Sequence, residues 1–250
     1  MTIDLIAFDA DDTLWHNEAH FRQARARFVQ ILSAYVPAEW AGTQLDRIEI
    51  ENIPHYGYGF KSFGLSMIEA ALELASGSVQ AKDLQAIITL LHEMMSMKVE
   101  LLDEIAETLT RLSTAYPLMM ITKGDLFEQS DKITRSGLTG YFRYIEIVPD
   151  KTPENYRALF QKYQIDPRHV VMVGNSLRSD IQPVLALGGQ AIYIPYETTW
   201  AHEHLDPAEI LPGVIEIERF GQLLESIERL EVKSEGSGRY ILKPDGNLLT

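Results

Sequence analysis

The stretch FDADDTLW, Phe8 to Trp15, places three carboxylates and a threonine directly after an apolar run. The preceding residues, Ile3 to Phe8, read IDLIAF, a pattern typical of a buried strand. Three carboxylates in four positions repel one another unless a cation lies among them. Aspartates after a strand also cap helices and stabilise turns, so the rest of the chain must show whether a cation is supplied.

Four further apolar runs are continuous rather than alternating, which favours parallel strands buried on both faces. They are Leu118 to Ile121, Tyr144 to Val148, Val170 to Val173 and Ala191 to Ile194. Helical patterns lie between them, over Asp125 to Ser136, Pro153 to Tyr163 and Asp180 to Leu187. Strands that alternate with helices predict an α/β fold with a Rossmann-like, doubly wound parallel sheet.

The connection between the first two strands is far longer than a crossover helix requires. Helical stretches are predicted from Phe21 to Tyr35 and over Ala38–Ile50, Leu65–Ala75 and Ala81–Met97, with a glycine-punctuated loop at Pro54 to Gly64. We therefore expect an inserted four-helix-bundle cap domain. The predicted division is a core of residues 1–14 and 101–230, a cap of residues 15–100, and a C-terminal tail or hairpin of residues 231–250.

Composition limits the classes of function. The 250 residues are 46% apolar, enough for a full core, and they include no cysteine, which excludes disulfides and thiolate metal sites. A formal net charge of -14 argues against nucleic acid or an anionic membrane as a partner. No apolar run is long enough to cross a bilayer. We expect a cytoplasmic protein that is a monomer or a homodimer.

Ligands of open α/β sheets bind beyond the carboxyl ends of the strands. Polar residues follow four of the predicted strands, namely Asp9 and Asp11, then Thr122, then Lys151, then Asn175 and Asp180. Carboxyl ends of parallel strands lie at one edge of the sheet. The sequence therefore predicts that a hydroxyl, a lysine, an amide and several carboxylates meet there.

This ordered set resembles the haloacid dehalogenase (HAD) superfamily, in the phosphatase-like branch with a helical C1-type cap inserted after the first motif. The family's motifs are matched by DADDT with Asp9, Asp11 and Thr13, by Thr122 in MMITKG, by Lys151 in VPDKTP, and by VGNSLRSD from Gly174 to Asp180. The resemblance covers Ile3 to about Ile194. Asn175 departs from the family's more frequent aspartate, and Asp12 stands where glycine is common.

The resemblance implies a hydrolase that removes phosphate from a small phosphorylated metabolite. Asp9 would attack phosphorus to form an aspartyl phosphate, and Asp11 would act as general acid and then general base. This division needs one ionised and one protonated carboxyl side by side. Phosphoryl oxygens would be bound by Thr122, Lys123, Gly124 and Lys151.

The cofactor implied by the resemblance is Mg²⁺, held by Asp9, Asp11 through its backbone carbonyl, Asn175 and Asp180. Mg²⁺ prefers oxygen ligands and would make this concentration of carboxylates tolerable. Asn175 offers a neutral carbonyl oxygen, which implies a less negative metal site.

The cap is expected to select the substrate. Tyr56, Tyr58 and Lys61 are possible specificity residues, although packing explains the aromatic side chains nearly as well. Trp15 is a further possible specificity residue, for which packing in the core is the favoured alternative. His202 and His204 have a spacing that suggests a metal clip, but a solvated loop is favoured because no third ligand is near.

Two alternative functions stay open. A phosphomutase or phosphotransferase would use the same phosphoaspartate, and a phosphate-binding protein of the same fold would have weak turnover, for which Asn175 is the best argument. A haloacid dehalogenase proper lacks the second aspartate and uses no metal, so Asp11 counts against that reaction.

Overall fold

A six-stranded parallel sheet forms the centre of the molecule. The computed structural model describes residues 2–198, 200, 203, 205 and 212–233. Within them the strands are β1 (Leu5–Phe8), β2 (Leu118–Lys123), β3 (Tyr144–Val148), β4 (Val170–Gly174), β5 (Gln190–Tyr193) and β6 (Val214–Glu216). Their spatial order is β3-β2-β1-β4-β5-β6, with every neighbouring pair parallel. The order reverses between β1 and β4, which confirms the predicted doubly wound α/β fold.

Helices cover both faces of the sheet. The helices that flank it are α5 (Ile105–Ala115), α6 (Leu126–Ser136), α7 (Pro153–Lys162), α8 (Gln182–Ala186) and α9 (Leu223–Lys233). Ile6 and Phe8 of β1 belong to the apolar cluster that includes α5 and α9, whereas Leu5 and Ala7 belong to the one that includes α7 and α8. All four are fully buried, which explains why β1 is continuously apolar.

The connection from β1 to β2 contains α1 (Glu18–Leu32), α2 (Ala38–Tyr56), α3 (Phe60–Leu74) and α4 (Ala81–Ser96). These helices pack around an apolar cluster of their own, which includes Phe28, Leu45, Phe63, Met67 and Leu90. It is distinct from the two clusters of the sheet. The position and number of these helices agree with the inserted bundle, while the exact domain limits remain a prediction.

The prediction of a loop over Pro54 to Gly64 is wrong. Helix α2 continues through Pro54 to Tyr56, and α3 begins at Phe60. Proline has no backbone N–H, so the helix lacks one hydrogen bond, to the carbonyl of Ile50, and continues past it. The connection between the two helices is only Gly57, Tyr58 and Gly59.

Two further elements differ from the sequence prediction. Strand β6 was not predicted, because three residues at the sheet edge give too short an apolar pattern. The helix predicted to begin at Asp180 is preceded by a π-helical turn, Leu177–Ile181, which contains Asp180. His202, His204 and the tail beyond residue 233 lie outside the described residues. Across the described part of the chain, no helix has both the length and the apolar character of a membrane span.

Candidate functional site

Asp9, Lys151 and Asp180 meet at the carboxyl edge of the sheet. They follow β1, β3 and β4 respectively, and all three are buried. The Lys151 ammonium donates to Asp9 Oδ1 and, at 2.7 Å, to Asp180 Oδ1. The backbone N–H of Ser176 donates to the other oxygen of Asp180 at 3.0 Å. The positive charge of Lys151 thus partly offsets the repulsion between two carboxylates that the sheet brings together.

This arrangement shifts the pKa of two of its members. Burial and repulsion from Asp9 raise the pKa of Asp180 to about 7, although Lys151 opposes the shift. Burial alone would lower the pKa of Lys151, but the carboxylates of Asp180 and Asp9 raise it well above its usual value. Lys151 is therefore held in its charged form between the two acids.

Oxygen donors suited to a hard cation lie beside Asp9. In the orientation that satisfies its neighbours, the Asn175 amide nitrogen lies 3.1 Å from Asp9 Oδ2 and 3.2 Å from the backbone carbonyl of Asp11. Among the described residues no three acidic or imidazole side chains are grouped as a metal site. A metal would instead use carboxylate oxygens, the Asp11 carbonyl and the Asn175 amide oxygen, which would require the Asn175 amide to turn over from the orientation in which its nitrogen donates to Asp9. That donor set fits Mg²⁺ in chemistry.

The Asp11 side chain does not join Asp9 and Asp180. Its carboxylate accepts hydrogen bonds from Lys132 at 2.7 and 2.8 Å, from Gln129 at 3.0 Å and from Trp15 Nε1 at 2.6 Å. Burial opposes ionisation, yet these three donors lower the pKa of Asp11. Asp11 therefore has its own cation, Lys132, whereas Asp9 and Asp180 share Lys151.

Thr122 and Lys123 end β2 beside this group. Thr122 is buried, and its hydroxyl lies 2.5 Å from Gln129 Nε2. The Lys123 ammonium pairs with Glu203 and lies 4.4 Å from the centroid of the Tyr58 ring. Lys123, Ser176 and Ser179 oppose the effect of burial and lower the pKa of Glu203 to about 2. The positive charge of Lys123 is therefore largely balanced in this structure.

These residues open onto one cavity of about 400 Å³ between the sheet edge and helices α1 to α3. Asp9, Asp11, Thr122, Lys123, Gly124, Lys151, Asn175 and Asp180 line it. Of the four expected specificity residues only Tyr58 does so. Trp15 is in the sheet's apolar cluster, Tyr56 donates to Glu69 at the surface, and Lys61 pairs with Asp125.

Asp12 has a local structural role. Its φ of 63° is left-handed, a conformation that aspartate tolerates better than most residues. Its carboxylate accepts the backbone N–H groups of Asn17 at 2.8 Å and Glu18 at 3.0 Å. Asp12 thus caps the start of α1, which explains a carboxylate at this otherwise glycine-like position.

Sequence reasoning missed four residues around the cavity: Gln129, Lys132, Glu128 and Glu203. The first three lie on α6, and the i, i+3 spacing of Gln129 and Lys132 places those two on one face of that helix. That spacing, directly after the Thr122 motif, is a signal that the sequence does contain. Glu203 follows β5 in a segment where the sequence contains no comparable pattern.

Comparisons with known proteins agree with this architecture. A haloacid dehalogenase-like family hydrolase from Xanthomonas campestris is 36% identical, with 94% of each chain covered and a TM-score of 0.83. A glyceraldehyde 3-phosphate phosphatase from Pyrococcus furiosus is 25% identical, over 91% of this chain and 94% of its own. A HAD-hydrolase from Bacillus subtilis, solved bound to magnesium, is 18% identical, with 91% of this chain and 100% of that one covered and a TM-score of 0.63.

The family model for haloacid dehalogenase-like hydrolases matches residues 3–188, which include β1 to β4, the inserted helices and all the motif residues described above. The sequence-based prediction of the family is thereby confirmed. This chain belongs to the haloacid dehalogenase-like hydrolase family.

Proposed function

We propose that this hydrolase removes phosphate from a small phosphomonoester through an aspartyl-phosphate intermediate on Asp9. The observation that carries the proposal is the Asp9 carboxylate facing the cavity between Lys151 and Thr13. A nucleophilic carboxylate next to a buried ammonium suits attack on a phosphate dianion, because the ammonium reduces the repulsion between them. The phosphatase from Pyrococcus furiosus supports the same class of reaction.

In the first step an oxygen of Asp9 bonds to phosphorus as the ester P–O bond breaks. Asp11 gives its proton to the departing oxygen. In the second step water attacks the phosphorus of the aspartyl phosphate, Asp11 accepts a proton from that water, and Asp9 leaves. Inorganic phosphate is the product, and both carboxyl groups return to their starting forms.

The Asp11 carboxylate accepts hydrogen bonds from Lys132, Gln129 and Trp15, which favour the ionised form that the second step requires. For the first step it must carry a proton, which requires it to give up its contacts with Lys132. A change of orientation at Asp11 is therefore part of the proposed cycle.

The proposed cofactor is Mg²⁺, with Asp9, the Asp11 carbonyl, Asn175 and Asp180 as the residues that would hold it. When bound, Mg²⁺ supplies charge that orients the substrate phosphate and balances the carboxylates. Lys151 and the Thr122 hydroxyl would bind the remaining phosphoryl oxygens. The cavity of about 400 Å³ suits a small metabolite better than a phosphorylated protein.

A panel of phosphomonoesters, assayed for phosphate release with Mg²⁺ and with EDTA, tests this proposal. Release from at least one ester, dependent on Mg²⁺ and lost in Asp9→Asn, is expected. Absence of phosphate release from every ester would reject it. An isomerised product without free phosphate would indicate a mutase, and halide release from 2-haloacids would indicate a dehalogenase.

A further inference from the structure

Glu128 joins the sheet to the inserted helices. It lies in the first turn of α6, and only 6% of it is exposed. Its carboxylate accepts the backbone N–H groups of Phe60 and Lys61, each at 2.8 Å. These are the first two residues of α3, whose preceding residue, Gly59, provides no side-chain cap. A residue of α6 therefore satisfies donors at the start of a helix in the inserted bundle.

The chain around Gly59 is shaped to admit this carboxylate. A Cβ atom on Gly59 would lie 2.2 Å from Glu128 Oε2, and the residue's φ of +117° is unfavourable for any other side chain. A second contact lies beside the first, since Lys61 Nζ is 2.6 Å from Asp125 Oδ1. The connection is thus formed by two acidic residues at the start of one helix.

The contact of Glu128 with α3 lies next to residues that line the cavity. Helix α6 begins two residues after Gly124, which lines the cavity together with Thr122. Tyr58 and Phe60 also line it, and the backbone N–H of Phe60 is one of the two that donate to Glu128. The Glu128 carboxylate therefore holds the backbone at and beside these two aromatic residues.

We infer that Glu128 is a positioning residue that fixes Tyr58 and Phe60 as the wall against which the leaving group of the substrate packs. This inference rests on the proposed function, since it assigns the phosphate to the sheet edge and the leaving group to the side of α3. Glu128 acts through backbone amides and does not touch the reacting atoms. It determines which esters fit, and the chemistry at Asp9 does not depend on it.

A loss of the Glu128 contact should affect inorganic phosphate and larger esters differently, whereas a general loss of stability should affect both alike. Inorganic phosphate needs only the sheet edge, so variants of Glu128 should bind it as the unchanged protein does. An ester with a larger leaving group also needs the α3 wall, so its KM should rise by about tenfold or more in Glu128→Ala, as expected when charged hydrogen bonds are lost. Glu128→Gln keeps one acceptor oxygen and should give an intermediate KM.

Hydrogen exchange followed by NMR tests the contact itself without any need for activity. In Glu128→Ala the amides of Phe60 and Lys61 should exchange about tenfold faster or more, while amides in the middle of α3 stay protected. The matched control is Glu107→Gln, a change of an exposed glutamate in the first turn of α5, which should leave both amides unchanged.

The two readouts separate the inference from the proposed function. If the unchanged protein hydrolyses no ester, the proposed function fails, and with it the role of Glu128 in ester selection. If esters are hydrolysed, a selective rise in ester KM with unchanged inhibition by inorganic phosphate supports the inference. Equal changes in both constants, or unchanged exchange at Phe60 and Lys61 in Glu128→Ala, would overturn it.

Discussion

The ammonium of Lys132 lies 2.7 and 2.8 Å from the two carboxylate oxygens of Asp11. The same ammonium donates to Asn17 Oδ1 at 3.1 Å, just before α1, and lies 5.4 Å from the centroid of the Phe60 ring in α3. One cation of α6 thus contacts the proposed acid and base as well as two of the inserted helices. Movement of those helices is expected to change the surroundings of Asp11.

Lys132→Met is expected to lower the free energy of unfolding by about 1–3 kcal/mol, because it leaves a mostly buried carboxylate without its counter-ion. Urea unfolding measures this directly. Lys162→Met is the control, since Lys162 is 59% exposed and pairs with Glu146 at the surface, where ion pairs contribute little. Equal effects of the two changes would contradict the importance of the Asp11 contact.

Gly59→Ala is expected to destabilise the protein more than Gly57→Ala, by about 1–3 kcal/mol. Both glycines have a left-handed φ, so each substitution strains the backbone, but only a Cβ on Gly59 meets Glu128. Thermal unfolding of the two variants isolates that contact. The difference should disappear in a Glu128→Ala background, and a difference that persists there would show that the Glu128 contact is not its cause.

Glu49 should make stability depend on pH. Burial and the nearby carboxylates of Glu18 and Asp46 raise its pKa from 4.5 to about 8. Between these values the folded chain binds more protons than the unfolded chain, so the free energy of unfolding falls as pH rises, by up to about 1.4 kcal/mol per pH unit.

Glu49→Gln should therefore stabilise the protein near the upper end of that pH window and have little effect near its lower end. Unfolding experiments across the window measure the slope. Glu39→Gln, which changes an exposed residue at the start of the same helix, should leave the slope as it is. A Glu49→Gln protein with the slope of the unchanged chain would refute the prediction.

Asn175→Asp should strengthen the response to Mg²⁺. The change adds a carboxylate beside Asp9, which destabilises the metal-free protein by repulsion and adds a charged ligand for the metal. If the added charge contributes about 1 kcal/mol, the Mg²⁺-induced rise in Tm should exceed that of the unchanged protein by about 2–4 °C. Differential scanning calorimetry with and without Mg²⁺ measures it, and equal rises in Tm would speak against Asn175 as a metal ligand.

The sheet and the first group of site residues could be predicted because their signals are local. Strand β1 is continuously apolar, which indicates that both of its faces are buried. Asp9 follows it directly, which indicates the end of the strand at which polar residues lie. Thr122 lies near the carboxyl end of β2, and Lys151 and Asp180 follow β3 and β4, so the parallel topology brings all three to one edge. Local pattern and global topology agree at these positions.

The remainder depends on contacts between distant parts of the chain. Helix α3 begins at Phe60, where the backbone N–H donates to Glu128. Glu128 lies on α6, so the sequence around Phe60 gives no sign of this contact. The orientation of the Asp11 side chain likewise depends on a distant residue, because its carboxylate accepts hydrogen bonds from Lys132 on α6. The spacing of the first motif predicts that Asp11 lies near the site. The direction of its side chain depends on the contact with Lys132, which the sequence pattern does not show.

Asp9 becomes covalently phosphorylated during turnover in the proposed mechanism. To detect this, the protein is mixed with Mg²⁺ and a phosphomonoester that it hydrolyses, the reaction is quenched in acid, and the peptides are sequenced by mass spectrometry. One added phosphoryl group is expected on Asp9 of the unchanged chain, and no such group in Asp9→Asn. Rapid phosphate release without modification of Asp9, or with full rate in Asp9→Asn, would contradict it.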